Sequence, residues 1–488
     1  MPDNRSIPGT DFLQLDTAEA PAGGLSGWLV QRLRAAIADG RLPTGSRLPA
    51  TRVLADEMRV SRGVVTEAYR RLAEDGLTAG QGRRGTIIAA APVTTPAPLP
   101  DPVPASPPSG STVFAAAGNE VFDLLRRVPA RIDLSPGVPD LAAFPRTAWL
   151  RAERLVLDGL TPADFGYGDP RGTPAFRAAV ASWLARNRGI SITSDDVIVV
   201  AGVAQALALL ALALRHDGIG EIAVEDPGSL GTRQLLRTWQ MLTPPVAVDS
   251  GGLRVSELIA GGSPAVLLTP AHQFPTGVVL AGHRRRDLMR WAAGGGLIIE
   301  DDYDAEHRYD RPPVPALRSV LAEQVCYAGT VSKLLAPALR VGWVIVPRRY
   351  RDAVITAKRD TDLGNAVLPQ LVLTRLMESG DLERHLRLLR RRHRRRRDVM
   401  VAAIKTHLPG ARVHGAAAGL HLMITFDGTF PDISLAAASL AQGVKVHPLS
   451  WHSQRPCRPG LILGYAASAP GEISDGIAVL GKVLRQLA

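Results

Sequence analysis

CYAGTVSKLLAPALRVGWVIVP, residues 326–347, is the stretch on which the reading of this chain turns. It opens as a short apolar strand. Lys333 follows that strand, with Thr330 three residues before it and Arg340 seven after. A lysine in a partly desolvated pocket has a lowered pKa and forms a Schiff base with an aldehyde. An arginine fork suits a phosphate group. A lone lysine is ordinarily a surface charge, so the weight rests on the length of the pattern around this one.

Three upstream stretches supply matching parts. In LIIEDDYDAEHRYD (297–310) carboxylates follow a buried strand at once, which puts them at the C-terminal edge of a sheet, where α/β proteins bind ligands. An Asp there can hold a proton on a pyridine nitrogen; a metal site or a solvated acidic turn would carry the same letters. TPAHQFPTGVVL (269–280) is a tight turn after another strand. VIVVAGVAQAL (197–207) reads as strand, Gly202, then a helix from Val203 whose N–H groups and dipole can cradle a phosphate. Continued to Leu214, that segment is uncharged and just long enough to span a bilayer. Its β-branched opening, glycine and Ala/Leu run describe a strand, a turn and a buried helix instead.

Further out, strand candidates at 197–200, 221–224, 265–269, 297–300 and 325–329 alternate with helical stretches around 230–240 and 284–292, the α/β pattern of a mostly parallel sheet. The last hundred residues predict a smaller α+β unit: a long Arg-rich helix, a strand near 419–426, a helix near 433–442, and strands near 444–448 and 460–466. In RHLRLLRRRHRRRR (384–397), nine arginines and no acid accompany an apolar seam of Leu382, Leu386, Leu389, His393 and Met400. That seam predicts a solvated helix with one buried face, and its basic side suits a secondary contact with DNA backbone.

The chain has 488 residues, 46% apolar and 21% charged, enough for two to four folding units and incompatible with wholesale disorder or collagen-like repeats. Net charge is +11; from residue 113 onward 45 basic residues face 35 acidic ones, which suits an anionic partner. Two cysteines, Cys326 and Cys457, give no disulfide framework and fit a reducing cytoplasm. MPDNRSIPGTDF lacks the apolar core of a signal peptide, so a soluble cytoplasmic protein with no membrane partner is expected.

Between Ala89 and Thr112 eight prolines in 24 residues forbid a helix and predict an extended spacer. The expected division is therefore a small module at 25–89, a proline-rich linker at 90–112 and a large body at 113–488. In the module Trp28, Leu29, Leu33 and Ile37 mark one helix, and Leu54 and Met58 a second. Ser61 caps a third, with Val64, Val65, Ala68, Tyr69 and Leu72 inward and Gly76 at its end. LTAGQGRRGTIIA then gives two extended pieces around a Gly/Arg turn. This is the order of a winged helix-turn-helix, with Arg62 and Thr66 on the exposed first turns of a recognition helix and Arg83 and Arg84 supplying charge at the wing. A protein–protein role for such a module is the alternative.

GRLPTGSRLPATRVLADEMRVSRGVVTEAYRRLAEDGL (40–77) resembles the GntR family of bacterial regulators. The resemblance implies contacts with double-stranded promoter DNA from Arg52, Ser61, Arg62 and Thr66. Gly63, where a polar residue is common, and a shortened wing depart from the pattern. With YGDPRG (167–172) and VEDPGSLG (224–231), the stretches of the large body resemble fold type I aminotransferases, the similarity running from about Ile132 to the end. Together the two parts are similar to the MocR subfamily. That resemblance implies pyridoxal 5'-phosphate bound through Lys333, Asp301 on the pyridinium nitrogen and Tyr303 on the ring oxygen. It implies Thr330, Arg340, Gly202 and Val203 around the phosphate, Phe274 in the pocket, Tyr167 reaching in from a homodimer partner, and no metal.

Several positions depart from the enzymes of that fold. Ala201 replaces a frequent phosphate-side serine, Ser229 a tyrosine after EDPG, and Phe274 an asparagine. Ile462, in LILGYA (461–466), stands about where aminotransferases carry the arginine that grips a substrate carboxylate, and Arg455 and Arg458 are off register. The expectation is a transcriptional regulator that senses pyridoxal phosphate or its amine adduct and controls vitamin B6 or amine metabolism, with no more than slow half-transamination. The alternative is an active aminotransferase with an appended helix-turn-helix.

Overall fold

The computed structural model describes residues 15–21, 24–82, 85–89, 114, 118, 120–309, 314–415 and 418–487. Two compact units divide at residue 106/107. The linker expected at 90–112 lies outside the described residues.

The first unit has three helices, Leu25–Ala38, Thr51–Met58 and Arg62–Glu74, then an antiparallel pair of strands, Thr78–Gly80 and Thr86–Ile88. Its core holds the residues that the helical spacing selects: Leu29, Leu33, Ile37, Leu54, Met58, Val65, Tyr69 and Leu72. Gly76 follows the third helix at φ +72, a left-handed setting that lets the chain turn into the first strand. One expectation needs correction: Ser61 occupies the N-cap position, but its side chain makes no capping hydrogen bond. The hydroxyl is left uncommitted at the start of that helix.

Eight strands build the main sheet of the second unit, in the spatial order Ile198–Val200, Gly342–Ile345, Val325–Thr330, Leu297–Asp302, Ala265–Leu268, Ala223–Asp226, Pro245–Asp249 and Gly252–Leu253. The four contacts from Val325–Thr330 across to Pro245–Asp249 are parallel. Gly342–Ile345 runs antiparallel to both of its neighbours, and Gly252–Leu253 closes a hairpin. The pleat sends alternate residues to opposite faces. Val199, Tyr327, Trp343 and Ile345 enter one core; Ile198, Val200, Cys326, Ala328 and Val344 enter another. With both faces covered, these strands read as unbroken apolar runs. Val203–His216 is the buried helix expected after Gly202, and no helix among the described residues is long and apolar enough to cross a membrane.

The smaller sheet, Ala411–His414, His421–Phe426, Gly460–Gly464 and His447–Pro448, is antiparallel and packs with Asp432–Ala441 and Pro470–Leu487. The Arg-rich helix is Asp381–His407, and Leu382, Leu386, Leu389, His393 and Met400 are on its buried face, as its spacing predicts. Arg396 is buried too, 2.7 Å from Asp140.

Neither ring nitrogen of His393 is hydrogen-bonded to a described residue, and burial beside His307, Arg396 and Arg392 pushes its pKa down to about 2. A folded pKa below the unfolded value means that the unfolded chain takes up more protons as pH falls, so this side chain costs stability progressively below about pH 6.5. His393→Leu should therefore raise stability by roughly 2 kcal/mol more at pH 5 than at pH 8. Urea unfolding at the two pH values checks this, and an equal change at both would contradict it.

Candidate functional site

The sheet topology collects the chemistry on one edge. Gly202 follows Ile198–Val200, Lys333 follows Val325–Thr330, Asp301 lies at the end of Leu297–Asp302 with Tyr303 just after it, and Phe274 lies beyond Ala265–Leu268. Arg340 precedes the antiparallel strand, whose first residue Gly342 pairs with both Val200 and Thr330, so the arginine arrives at the same edge from the opposite direction.

Around Gly202 the groups are close together. The glycine sits at φ +87 and ψ 177, a conformation that L side chains rarely adopt. A Cβ placed there would lie 3.5 Å from Arg340 Nη1 and 3.8 Å from Ser332 Oγ. No side chain caps the helix that Val203 begins, so its first N–H groups face this space. Thr330 Oγ1 donates to Ser332 Oγ at 2.9 Å. Where a serine is frequent, Ala201 instead donates its N–H to Gln205 Oε1 at 2.7 Å, and the same glutamine donates to Asp362 at 2.6 Å. Backbone donors, two hydroxyls and a guanidinium converging on a helix start can hold a phosphate.

Lys333 Nζ donates to Gly137 O at 2.5 Å. Burial pushes its pKa below the ordinary lysine value, against the pull of Asp301 and Asp304. The acids of EDDYD have separate fates. Glu300 accepts from the Leu317 and Arg318 N–H groups. Asp302 accepts from Arg188 and from the Tyr327 hydroxyl, both at 2.5 Å. Asp304 Oδ2 lies 2.8 Å from His272 Nδ1. Asp301 alone has no hydrogen bond to a described residue, and its Oδ1 is buried. Burial, then the Asp302 and Asp304 charges, push its pKa up to about 7. A buried carboxylate without a donor suits a cationic nitrogen brought in by a ligand.

The far wall is apolar. Phe274 packs against Met423, Leu449 and the fully buried Ile462, with ring centroids 5.0 Å from His421 and 5.1 Å from His452. Burial depresses the pKa of both histidines, that of His421 to about 3, so neither brings a positive charge at neutral pH. Arg455 pairs with Glu257 and Arg458 with Asp427. Tyr303 directs its hydroxyl at His272, 3.3 Å from both Nδ1 and the carbonyl oxygen. Tyr167 is 94% exposed, away from this pocket's interior.

In the first unit Arg52, Ser61, Arg62 and Thr66 are all exposed. Arg62 Nε donates to Thr51 Oγ1 at 3.3 Å, and the Thr66 hydroxyl donates back to the Arg62 carbonyl at 2.9 Å. Gly82 and Gly85 turn the chain at the wing with positive φ; Arg83 and Arg84 lie outside the described residues. Sequence reasoning missed Gly137, Glu225, His272, Asp304 and His421. Glu225, buried and pushed up to about 7 by desolvation, accepts from Thr269 N–H and Oγ1. Its only sequence signal was an acid at the end of an apolar strand.

The sequence profile described as "Aminotransferase class I and II" matches residues 130–453, and that of "Bacterial regulatory proteins, gntR family" matches residues 25–88. The chain is 32% identical over 464 residues to the probable rhizopine catabolism regulatory protein MocR of Rhizobium meliloti, covering 92% of this chain and 91% of that one. It is 29% identical to the pyridoxine biosynthesis transcriptional regulator PdxR of Corynebacterium glutamicum, over 92% and 95% of the two chains. Among solved structures, a multiple substrate aminotransferase from Thermococcus profundus superposes with TM-score 0.69 at 25% identity, covering 76% of this chain and 95% of that one.

Proposed function

The chain belongs to the MocR-type GntR transcriptional regulators, and on that premise we propose that its aminotransferase domain holds pyridoxal 5'-phosphate on Lys333 and passes the state of that pocket to the DNA-reading unit. The observation that carries the reading is Asp301, a buried carboxylate with no hydrogen bond to a described residue, in the same pocket as a lysine of depressed pKa. Thr330, Arg340 and the Gly202–Val203 backbone would hold the phosphate, Asp301 the ring nitrogen and Tyr303 the ring oxygen. When bound, the cofactor supplies an aldehyde for amines and a ring that withdraws electrons.

Phe274 and Ile462 shape what else can bind. A fast aminotransferase aligns its substrate with a fixed cation for the carboxylate, and this apolar wall offers none. The pocket therefore suits the cofactor itself or an amine attached to it as effector, with amino acids turned over slowly. The domain limits follow the sequence: a DNA-binding unit at 25–89, a linker at 90–112 and an effector and dimerisation body at 113–488. Exposed Tyr167 would complete the pocket of a second copy. The protein would work in the cytoplasm, where promoter DNA lies.

Binding of the protein to its own upstream DNA, measured by fluorescence anisotropy with and without pyridoxal phosphate, tests this reading. The cofactor should change the affinity, because a ligand that prefers one of two conformations shifts their populations. Arg62→Ala should weaken specific binding by about 1–3 kcal/mol if the guanidinium reads a base edge. Identical affinity with and without cofactor, together with rapid multiple turnover of an amino acid, would replace the regulator-sensor reading with the enzyme.

A further inference from the structure

A short hydrogen-bonded chain stands behind the pocket with no role assigned above. Asp304 Oδ2 and His272 Nδ1 are 2.8 Å apart, with the two side chains only 2% and 1% exposed. The Tyr303 hydroxyl lies 3.3 Å from the same ring nitrogen and 3.3 Å from the His272 carbonyl oxygen. The imidazole is pinned in place: a Cβ at Gly419 would come within 2.0 Å of its Cε1, and one at Gly277 within 3.1 Å of its Nε2. His272, Asp304 and His421 bring donor atoms within 4.8 Å of one another. The 2.8 Å contact nevertheless commits Nδ1 and a carboxylate oxygen to each other, as in a hydrogen-bonded pair rather than two ligands of an ion.

We propose that Asp304 and His272 are a positioning pair that keeps the Tyr303 hydroxyl proton available to the cofactor's ring oxygen and so sets the proton affinity of the Lys333–cofactor linkage. This rests on the reading that pyridoxal phosphate binds at Lys333 with Tyr303 at its ring oxygen. A carboxylate beside an imidazole nitrogen places the proton on that nitrogen. With Nδ1–H donating to Asp304, the nitrogen has no lone pair for the tyrosine, whose O–H is left with the 3.3 Å carbonyl contact and a share of the already engaged Asp304 carboxylate, and can turn to the ligand. Without the carboxylate, Nδ1 becomes a competing acceptor. Other charged or titratable groups that act on this cluster are Asp301, Glu225, Lys333 and His421, and on Asp304 also Glu306, His307, Tyr309 and Tyr465. His421 stays neutral near pH 7, its ring centroid 5.2 Å from that of His272.

Asp304 acts on Lys333 by its charge as well, and the two effects have opposite signs. Loss of a nearby anion lowers the proton affinity of a cationic linkage. Loss of the tyrosine's hydrogen bond leaves more negative charge on the ring oxygen and raises it. In the cofactor-loaded protein, Asp304→Asn should therefore move the spectrophotometric protonation midpoint of the linkage up by about half a unit to one unit. In a Tyr303→Phe background the same substitution should lower it or leave it unmoved. A midpoint lowered or unchanged by Asp304→Asn in the Tyr303 protein would overturn the pair while leaving Lys333 as the attachment point. Absence of any borohydride-fixable visible band in the wild type would overturn the Lys333 reading and this proposal with it. Nitrogen-15 NMR of the histidine-labelled wild type, with His272 assigned through His272→Gln, is the second measurement. It should show a proton on Nδ1. A proton on Nε2 instead would also overturn the pair.

Discussion

Lys333→Ala is expected to fold, to bind DNA, and to lose completely the visible absorbance that borohydride fixes in the wild type. The chain contains only five lysines. Lys358 is buried and committed to Asp362 and Asn365, Lys445 lies 3.6 Å from Asp133, and Lys405 and Lys482 are exposed on helices. Lys333 alone stands in the pocket with Asp301, and burial there favours the neutral amine that attacks an aldehyde. In the structure its amine makes one hydrogen bond, to Gly137 O, so little bonding is lost with it, and Asp301, its pKa already pushed up to about 7, can take a proton in its absence; folding should survive. Absorption spectra and peptide mapping after reduction provide the check. An unchanged band in the variant would place the attachment on another residue.

Asp301→Asn should produce effects of opposite sign in the empty and the loaded protein. In the empty pocket the folded carboxyl has its pKa pushed up to about 7 from an unfolded value near 3.8. A raised acid pKa means that the folded state binds the extra proton, so the carboxylate's cost to stability is absent below about pH 4, grows between pH 4 and 7 and is complete above. Without cofactor the asparagine variant should gain roughly 4 kcal/mol relative to wild type at pH 8 and less than about 1 kcal/mol at pH 4. With cofactor the sign reverses, because the carboxylate then faces a protonated ring nitrogen. Breaking one side of a buried charge pair costs about 3–5 kcal/mol, which is a loss of about two to four powers of ten in cofactor affinity. Thermal unfolding and equilibrium dialysis on the same two preparations test both halves. An Asp301→Asn protein that keeps wild-type affinity would assign the ring nitrogen to another group.

The order of modules, five strands of the main sheet and the run from Lys333 to Arg340 were legible from the letters alone, whereas Pro245–Asp249, Gly252–Leu253 and the antiparallel Gly342–Ile345 were not. Apolar periodicity is a local property, and buried parallel strands followed by glycine, acid or lysine leave a continuous trace of it. The helical seam through Leu382, Leu386, Leu389, His393 and Met400 was legible for the same reason, even among nine arginines. The Ser61 cap was not, because a serine before a helix shows the position and not where its hydroxyl points.

What the tertiary structure decided was which neighbours in sequence are partners in space. Glu300, Asp301, Asp302 and Asp304 are nearly indistinguishable as letters. Asp302 is neutralised by Arg188, 114 positions away, and Asp304 is tied to His272, 32 positions away; Asp301 is left without a donor. The apolar wall is likewise assembled from Phe274, Met423, Leu449 and Ile462, on different elements. Periodicity carries no information about such pairings, because a charge or a ring is matched across the fold by whichever strand end packs against it. The sequence therefore determined the kinds of group that this pocket contains, and the packing of distant strands determined which of them remain free to hold a ligand.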